Sequence, residues 1–160
     1  MARELKRVAV IGGTRIPFCR SNTLYADLSN QEMMTAALNG LVDRYGLKGQ
    51  HIDEVVGGAV VSHSRDFNLT RESVLGTKLA PSTPGVTLQQ ACGTSLQAAL
   101  GTAAKIATGE IESGIACGSD TTSDAPIVFS KKFSKRLIDL NSKKTMMDKI
   151  RVFQGLSPAE

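Results

Sequence analysis

The chain has no tryptophan, two tyrosines and two histidines in 160 residues. No apolar run reaches the roughly 18 residues that a membrane-crossing helix needs. The opening Met1-Ala2-Arg3-Glu4-Leu5-Lys6-Arg7 carries charge with no apolar stretch behind it, so no secretory signal peptide is expected. The three cysteines, Cys19, Cys92 and Cys117, cannot all pair, and their spacing matches no metal-ligand pattern. A disulfide scaffold and a bound metal are therefore not expected, and a reducing, cytoplasmic setting is. What is present is an ordinary apolar content and frequent glycine, enough for one domain with a real core.

Charge is placed unevenly. Residues 1–129 carry eleven basic and twelve acidic groups, whereas residues 130–153 carry eight basic and two acidic, a local excess of +6. An anionic partner is expected to meet the chain at this second stretch. Its basic residues include Lys131, Lys132, Lys135 and Arg136, then Lys143, Lys144, Lys149 and Arg151. Between them run two apolar stripes, Phe129, Phe133, Leu137 and Leu140, then Met146, Met147, Ile150 and Phe153. Three readings stand for this segment: two surface helices with solvated charge, an anion site, or a patch that meets a membrane surface. A nucleic-acid partner is not expected.

The earlier part of the chain alternates apolar strands with amphipathic helices. Arg7-Val8-Ala9-Val10-Ile11-Gly12 reads as a buried central strand. Ser29-Asn30-Gln31-Glu32 has the form of a capping box, and Met34, Leu38, Leu41, Val42 and Tyr45 follow at helical spacing up to Gly46. Ile52 to Val61 reads as a second strand, with Gly57-Gly58 at a bulge or close backbone contact. Asn68 is placed to cap a second helix. Gly85 to Gln89 and Ile111 to Gly118 read as a third and a fourth strand. The alternation argues an α/β layer with a mostly parallel sheet. His51 and His63 read as solvated loop residues without partners, and Cys117 as packing.

The centre of this arrangement is Gln89-Gln90-Ala91-Cys92-Gly93-Thr94-Ser95-Leu96-Gln97-Ala98-Ala99. Cys92 lies where the third strand gives way to a helix that Gly109 stops. Free N–H groups and the positive end of a helix favour a thiolate there, and a thiolate is the reactive form of cysteine. A small buried hydrophobe is the plainer reading of a free cysteine. Gly93, Thr94 and Ser95 weigh against it, since small and polar neighbours suit a ligand's approach better than a packed core. The alanine- and leucine-rich helix beyond suits burial in a protein centre.

These residues resemble the nucleophile motif of the thiolases. Arg15-Ile16-Pro17-Phe18 resembles that family's Arg-x-Pro, and Asn68-Leu69-Thr70-Arg71 its Asn-x-x-Arg. Cys117-Gly118-Ser119-Asp120, then Thr121-Thr122-Ser123-Asp124-Ala125-Pro126, resembles its Gly-Gly-x-Glu-x-Met-Ser-x-x-Pro stretch, with cysteine where the family has glycine. The resemblance runs from about Val8 to at least Phe153, and the wording of the basic stretch looks most like the long-chain type found as β-subunits of fatty-acid-oxidation complexes. It implies an N-terminal thiolase α/β domain over 1–126 lacking a closing strand, and the start of an inserted basic loop domain over 127–160.

The resemblance also implies Cys92 as catalytic nucleophile and acyl transfer between 3-ketoacyl-CoA and CoA. Coenzyme A is then a substrate, with no separate cofactor. Lys131, Lys132, Lys135 and Arg136 are implied near its nucleotide. A homodimer or tetramer and an α-subunit of an oxidation complex are the implied partners, beside the membrane-surface contact that the basic stretch itself suggests. The family's Gly-His-Pro histidine, second histidine and second cysteine have no match here, so the chain is expected to need a further half. The alternatives are a non-catalytic thiolase half that dimerises or binds CoA, and a condensing 3-ketoacyl synthase.

Overall fold

A computed structural model describes residues 5–152. The chain divides into two compact units, Met1–Pro126 and Ile127–Glu160.

The first unit is built on a three-stranded parallel sheet. Its strands are β1 (Glu54–Gly57), β2 (Gly85–Thr87) and β3 (Gly114–Ala116), in the order β2-β1-β3. Val55 pairs with Gly85 on one side and Ile115 on the other, which makes β1 the central strand. All four of its residues are buried. The fold class read from the sequence, an α/β layer on a parallel sheet, is the one found.

Three helices cover this sheet: α1 (Asn30–Tyr45), α2 (Leu69–Leu75) and α3 (Thr94–Thr108). The Ser29 hydroxyl accepts from Glu32 N while the Glu32 carboxylate accepts from Ser29 N at 2.8 Å, so the capping box forms as the sequence suggests. Gly46 ends α1 in the left-handed conformation at φ 64°, where a side chain would be strained. Met34, Leu38 and Val42 of α1 join Leu69 and Val74 of α2 and Val55 of β1 in the buried core.

Successive strand residues face opposite ways. Val55 belongs to the core on the α1 and α2 side, together with Ile115 and Cys117, which pack against it. Glu54 points the other way, to Lys105 of α3, whose Nζ lies 2.6 and 2.9 Å from the two carboxylate oxygens. α3 can lie this close because small residues face it. A Cβ on Gly114 would collide with the Thr102 methyl, and one on Gly58 would crowd the Thr94 methyl.

Two expectations about this unit are corrected. Residues 7–12 form no strand. They run extended and open to solvent, with Val10 93 % and Ile11 86 % exposed. A strand needs a neighbour to satisfy its backbone, and no described strand runs alongside. The segment is tied to the body by isolated contacts, among them Thr14 Oγ1 to the Ala37 carbonyl at 3.0 Å and Arg44 Nη1 to the Gly13 carbonyl at 3.1 Å. Nor is α3 buried all round. Thr94, Ala98 and Thr102, four residues apart, face the sheet and are buried, while Leu96 and Leu100 on the other face are 65 % and 57 % exposed.

The second unit contains α4 (Lys131–Ser142), capped by the Ser130 hydroxyl accepting from Phe133 N, and α5 (Met146–Val152). Arg136 Nη1 donates to the Val152 carbonyl at 3.2 Å, and this joins the two helices. Phe133, Leu137 and Leu140 are half-buried, and Phe129 meets Phe133 at a ring separation of 5.0 Å. Phe153, expected in the second stripe, lies outside the described residues. No helix among the described residues is long and apolar enough to cross a membrane.

Candidate active site

Strand β2 delivers the chain to a tight turn at residues 90–93, and α3 starts at Thr94 with Gly93 as its N-cap. Ala91 within the turn takes φ 43°, a left-handed conformation that few alanines adopt. Neighbouring bonds impose it. Gly93 N donates to the Gln90 carbonyl at 2.9 Å, and the Thr94 hydroxyl donates to the Ala91 carbonyl at 2.7 Å. The same hydroxyl oxygen accepts from Gln90 N at 2.9 Å. Thr94 is 4 % exposed, so these bonds are shielded from water. Cys92 stands out of the turn as an exposed, free cysteine.

Cys92 opens on a cleft of about 1050 Å³. Its walls are the extended segment 12–21, the Val60-Val61 loop and residues 115–123, with Met33, Leu38 and Leu41 of α1 behind. The cleft is mainly apolar, and Arg15 and Arg20 bring positive charge to it. All three cysteines line it. They differ in state: burial pushes the Cys117 thiol up to about 12, so Cys117 stays protonated at neutral pH.

Hydrogen bonds between segments set the cleft's shape. One oxygen of Asp120 accepts from Val60 N at 2.8 Å and from Val61 N at 2.9 Å. The Gln89 amide donates to the Val60 carbonyl at 2.7 Å and so fixes the same loop to the Cys92 turn. Ser123 Oγ accepts from Asn22 N at 2.8 Å and anchors the extended segment. The Asn68 carboxamide accepts from Arg71 N and from the Thr87 hydroxyl, and Arg71 donates to the carbonyls of Thr83 and Pro81 at 2.8 and 3.1 Å. Segments 15–18 and 117–123 therefore wall the cleft beside Cys92, while Asn68 and Arg71 tie α2 to strand β2 and to the chain leading into it.

Neither histidine lines the cleft. Both have partners, contrary to the reading of solvated loop residues. His63 Nε2 lies 2.7 Å from the Asp124 carbonyl and 3.4 Å from its carboxylate, which also pairs with Arg65. His51 Nδ1 lies 3.0 Å from Ser82 Oγ. The partner residues are 31 or more positions away in sequence, too far for local pattern to reveal them.

The basic residues singled out in the sequence fall on α4. Lys131, Lys132 and Lys135 are exposed and Arg136 is half-buried. Their i, i+1, i+4, i+5 spacing puts them on one side of the helix. They belong to the second unit and Cys92 to the first. Sequence reasoning gave Thr94 no structural task. Its signal was a polar residue at a buried position of an otherwise apolar helix face.

The layered α/β fold thus presents an exposed, free cysteine at a strand-to-helix turn on the wall of a cleft. The chain belongs to the thiolase N-terminal domain family, whose model matches residues 8–157. It is 35 % identical over 155 residues to a 3-ketoacyl-CoA thiolase of Alteromonas mediterranea, covering 97 % of this chain and 36 % of that protein. It is 38 % identical over 151 residues to a 3-ketoacyl-CoA thiolase of Shewanella oneidensis, covering 94 % and 35 %. The chain thus spans about a third of the length of these relatives. In fold it is similar to the Bacillus anthracis acetyl-CoA acetyltransferase, with a TM-score of 0.64 and 24 % identity over 74 % of this chain and 28 % of that one.

Proposed function

We propose that the chain supplies the nucleophile for acyl transfer between 3-ketoacyl-CoA and CoA, through an acyl-cysteine at Cys92. The observation that carries this reading is the exposed Cys92, held in a braced turn at the start of α3 and open to an apolar cleft. The Cys92 sulfur, as thiolate, attacks the C3 ketone of the substrate. The C2–C3 bond breaks, its electron pair leaves with the acetyl-CoA enolate, and a proton from an acid completes acetyl-CoA. The acyl group stays on sulfur until the thiol of free CoA, deprotonated by a base, displaces it and returns the Cys92 thiolate. The apolar walls suit an acyl chain, and the backbone N–H of Cys92 is offered to the acyl oxygen as charge builds there.

The acid and base are assigned to polypeptide beyond this chain, since no histidine lines the cleft. Each contributes about a hundred-fold or more, so the chain alone turns over no 3-ketoacyl-CoA at a useful rate. Lys131, Lys132, Lys135 and Arg136 face the CoA phosphates, a reading supported by their shared helix side and the local +6 charge. Assembly as a homodimer or tetramer, and membership of a fatty-acid-oxidation complex as the long-chain type, follow from the resemblance.

The deciding experiment is thiolysis by this chain joined to the remaining polypeptide. Cys92→Ala abolishes turnover and trapping of radiolabelled acyl groups, while Cys19→Ala leaves both in place. Normal turnover by Cys92→Ala would end this reading and favour the second one, a non-catalytic half that binds CoA. Robust thiolysis by the 160-residue chain alone would show that the acid and base lie within it.

A further inference from the structure

The cleft that Cys92 opens on has a polar, cationic corner set among mainly apolar walls. Met33, Leu38 and Leu41 of α1 form its apolar back. Arg15 and Arg20 line it from the extended segment. Neither guanidinium has a hydrogen-bond or ion-pair partner among the described residues. The one carboxylate of the lining, Asp120, is already engaged by Val60 N and Val61 N. Two cations against one anion leave the cleft net positive, and a ligand's own negative charge is what such a site attracts.

Hydroxyl groups share that corner with Arg20. Thr122 Oγ1 donates to Ser21 Oγ at 2.8 Å, and Ser21 Oγ lies 3.4 Å from Ser123 Oγ. Ser123 Oγ also accepts from Asn22 N at 2.8 Å. Each hydroxyl has one hydrogen to give. The Thr122 hydrogen goes to Ser21 and one more serves the contact between Ser21 and Ser123, so a third is left for a ligand. Ser21, Thr122 and Ser123 all line the cleft. Thr122 stands where the Gly-Gly-x-Glu-x-Met-Ser pattern has methionine. The exchange places a hydroxyl, and the network it joins, where that pattern has an apolar side chain.

We propose that this cleft takes a 3-ketoacyl-CoA whose acyl chain ends in a carboxylate, held by the Arg20 guanidinium and the hydroxyl group beside it. This rests on the acyl-transfer reading of Cys92 and names the class of acyl group that the site prefers. The methylenes of the chain lie against the apolar wall. Its terminal charge needs a partner there, because an unpaired charge is costly to bring against apolar surface. Arginine suits a carboxylate, since its planar fork offers two parallel N–H donors. A chain ending in methyl leaves the guanidinium and the hydroxyl without that partner. Arg15, five positions earlier on the same segment, adds to the positive potential of the cleft.

The test compares two substrates that differ only at the far carbon, 3-ketoadipyl-CoA with a carboxylate and 3-ketohexanoyl-CoA with a methyl, on this chain joined to the remaining polypeptide. The carboxylate substrate is expected to have the higher kcat/KM, by about tenfold. Arg20→Gln lowers that ratio about tenfold, and Thr122→Met lowers it in the same direction. Arg20 is exposed, so its replacement leaves the fold in place, as a thermal melt checks. A ratio of one or less overturns the proposal and leaves acyl transfer at Cys92 standing. A loss that Arg20→Gln inflicts equally on both substrates, as a raised KM for CoA, would assign the arginine to the CoA phosphates and would equally overturn it. Calorimetric binding of adipoyl-CoA and hexanoyl-CoA to the Cys92→Ala form repeats the comparison without turnover. A preference for adipoyl-CoA there, removed by Arg20→Gln, supports the carboxylate site even where Cys92 transfers no acyl group, and no preference ends it.

Discussion

The Thr94 hydroxyl donates to the Ala91 carbonyl at 2.7 Å and accepts from Gln90 N at 2.9 Å, so one buried side chain closes the turn that presents Cys92. Ala91 is held at φ 43° within that turn, and such a conformation persists only where its surroundings over-determine it. Thr94→Ala removes both bonds and leaves the Gln90 N–H unpaired. The expected loss is about 1–3 kcal/mol of stability, read from the urea midpoint of the chain. Thr94→Ser keeps the hydroxyl and recovers most of it. Were Thr94→Val to match wild type, the hydroxyl would not be what holds the turn.

The three cysteines share one cleft but not one reactivity. Burial pushes the Cys117 thiol up to about 12, and the thiolate is the form that alkylates. Cys92 is exposed. Iodoacetamide at neutral pH is expected to modify Cys92 at least about ten times faster than Cys117, measured by peptide mass spectrometry over time. Equal rates at the two sites would place Cys117 in water and undo the account of the β3 packing.

Much of this was legible in the sequence, for physical reasons that differ from element to element. The α1 start was readable because Ser29 and Glu32 satisfy each other's backbone within one turn. The ends at Gly46 and Gly109 were readable because each takes the left-handed conformation, at φ 64° and 76°. Cys92 was readable because strand and helix periodicities meet there. The apolar run 8–12 misled, since periodicity reports what a segment could bury and not whether a neighbour lies beside it. The leucines of α3 misled in the same way. His63, Asp120 and Gln89 were out of reach because their bonds join loops about 30 to 60 residues apart.

Asp53 gives the fold an acid-sensitive seam. Its carboxylate accepts from Glu112 N and Ser113 N, each at 2.9 Å, and joins the approach to β1 with the approach to β3. These backbone donors stabilise the carboxylate and hold its pKa below the ordinary 3.8. A lowered carboxylate contributes stability above its unfolded value and loses it as pH falls through the folded one. Melting temperature is therefore expected to drop as pH goes below about 4, with a shallower drop in Asp53→Asn. Identical slopes for the two proteins would show that other carboxylates dominate acid unfolding.

The open face of α3 predicts how the 160-residue chain behaves alone. Thr94, Ala98 and Thr102 already seat the helix on the sheet, so Leu96 and Leu100, 65 % and 57 % exposed, contribute little to that seat. They offer apolar surface to water, as do Val10 and Ile11 of the segment 7–12. Exposed apolar surface of this kind drives association. Replacing Leu96 and Leu100 by Ser is expected to reduce dye binding to exposed apolar surface and to slow aggregation, read by light scattering, while lowering stability by less than about 1 kcal/mol. In the polypeptide completed to the length of its relatives the same pair of changes is expected to do the reverse. A docking contact on this face would bury both leucines, and truncating a leucine in a packed core costs about 2–5 kcal/mol. A large loss of stability in the 160-residue chain itself would mean that α3 already buries these leucines, and that its outer face is not a docking surface for the rest of the protein.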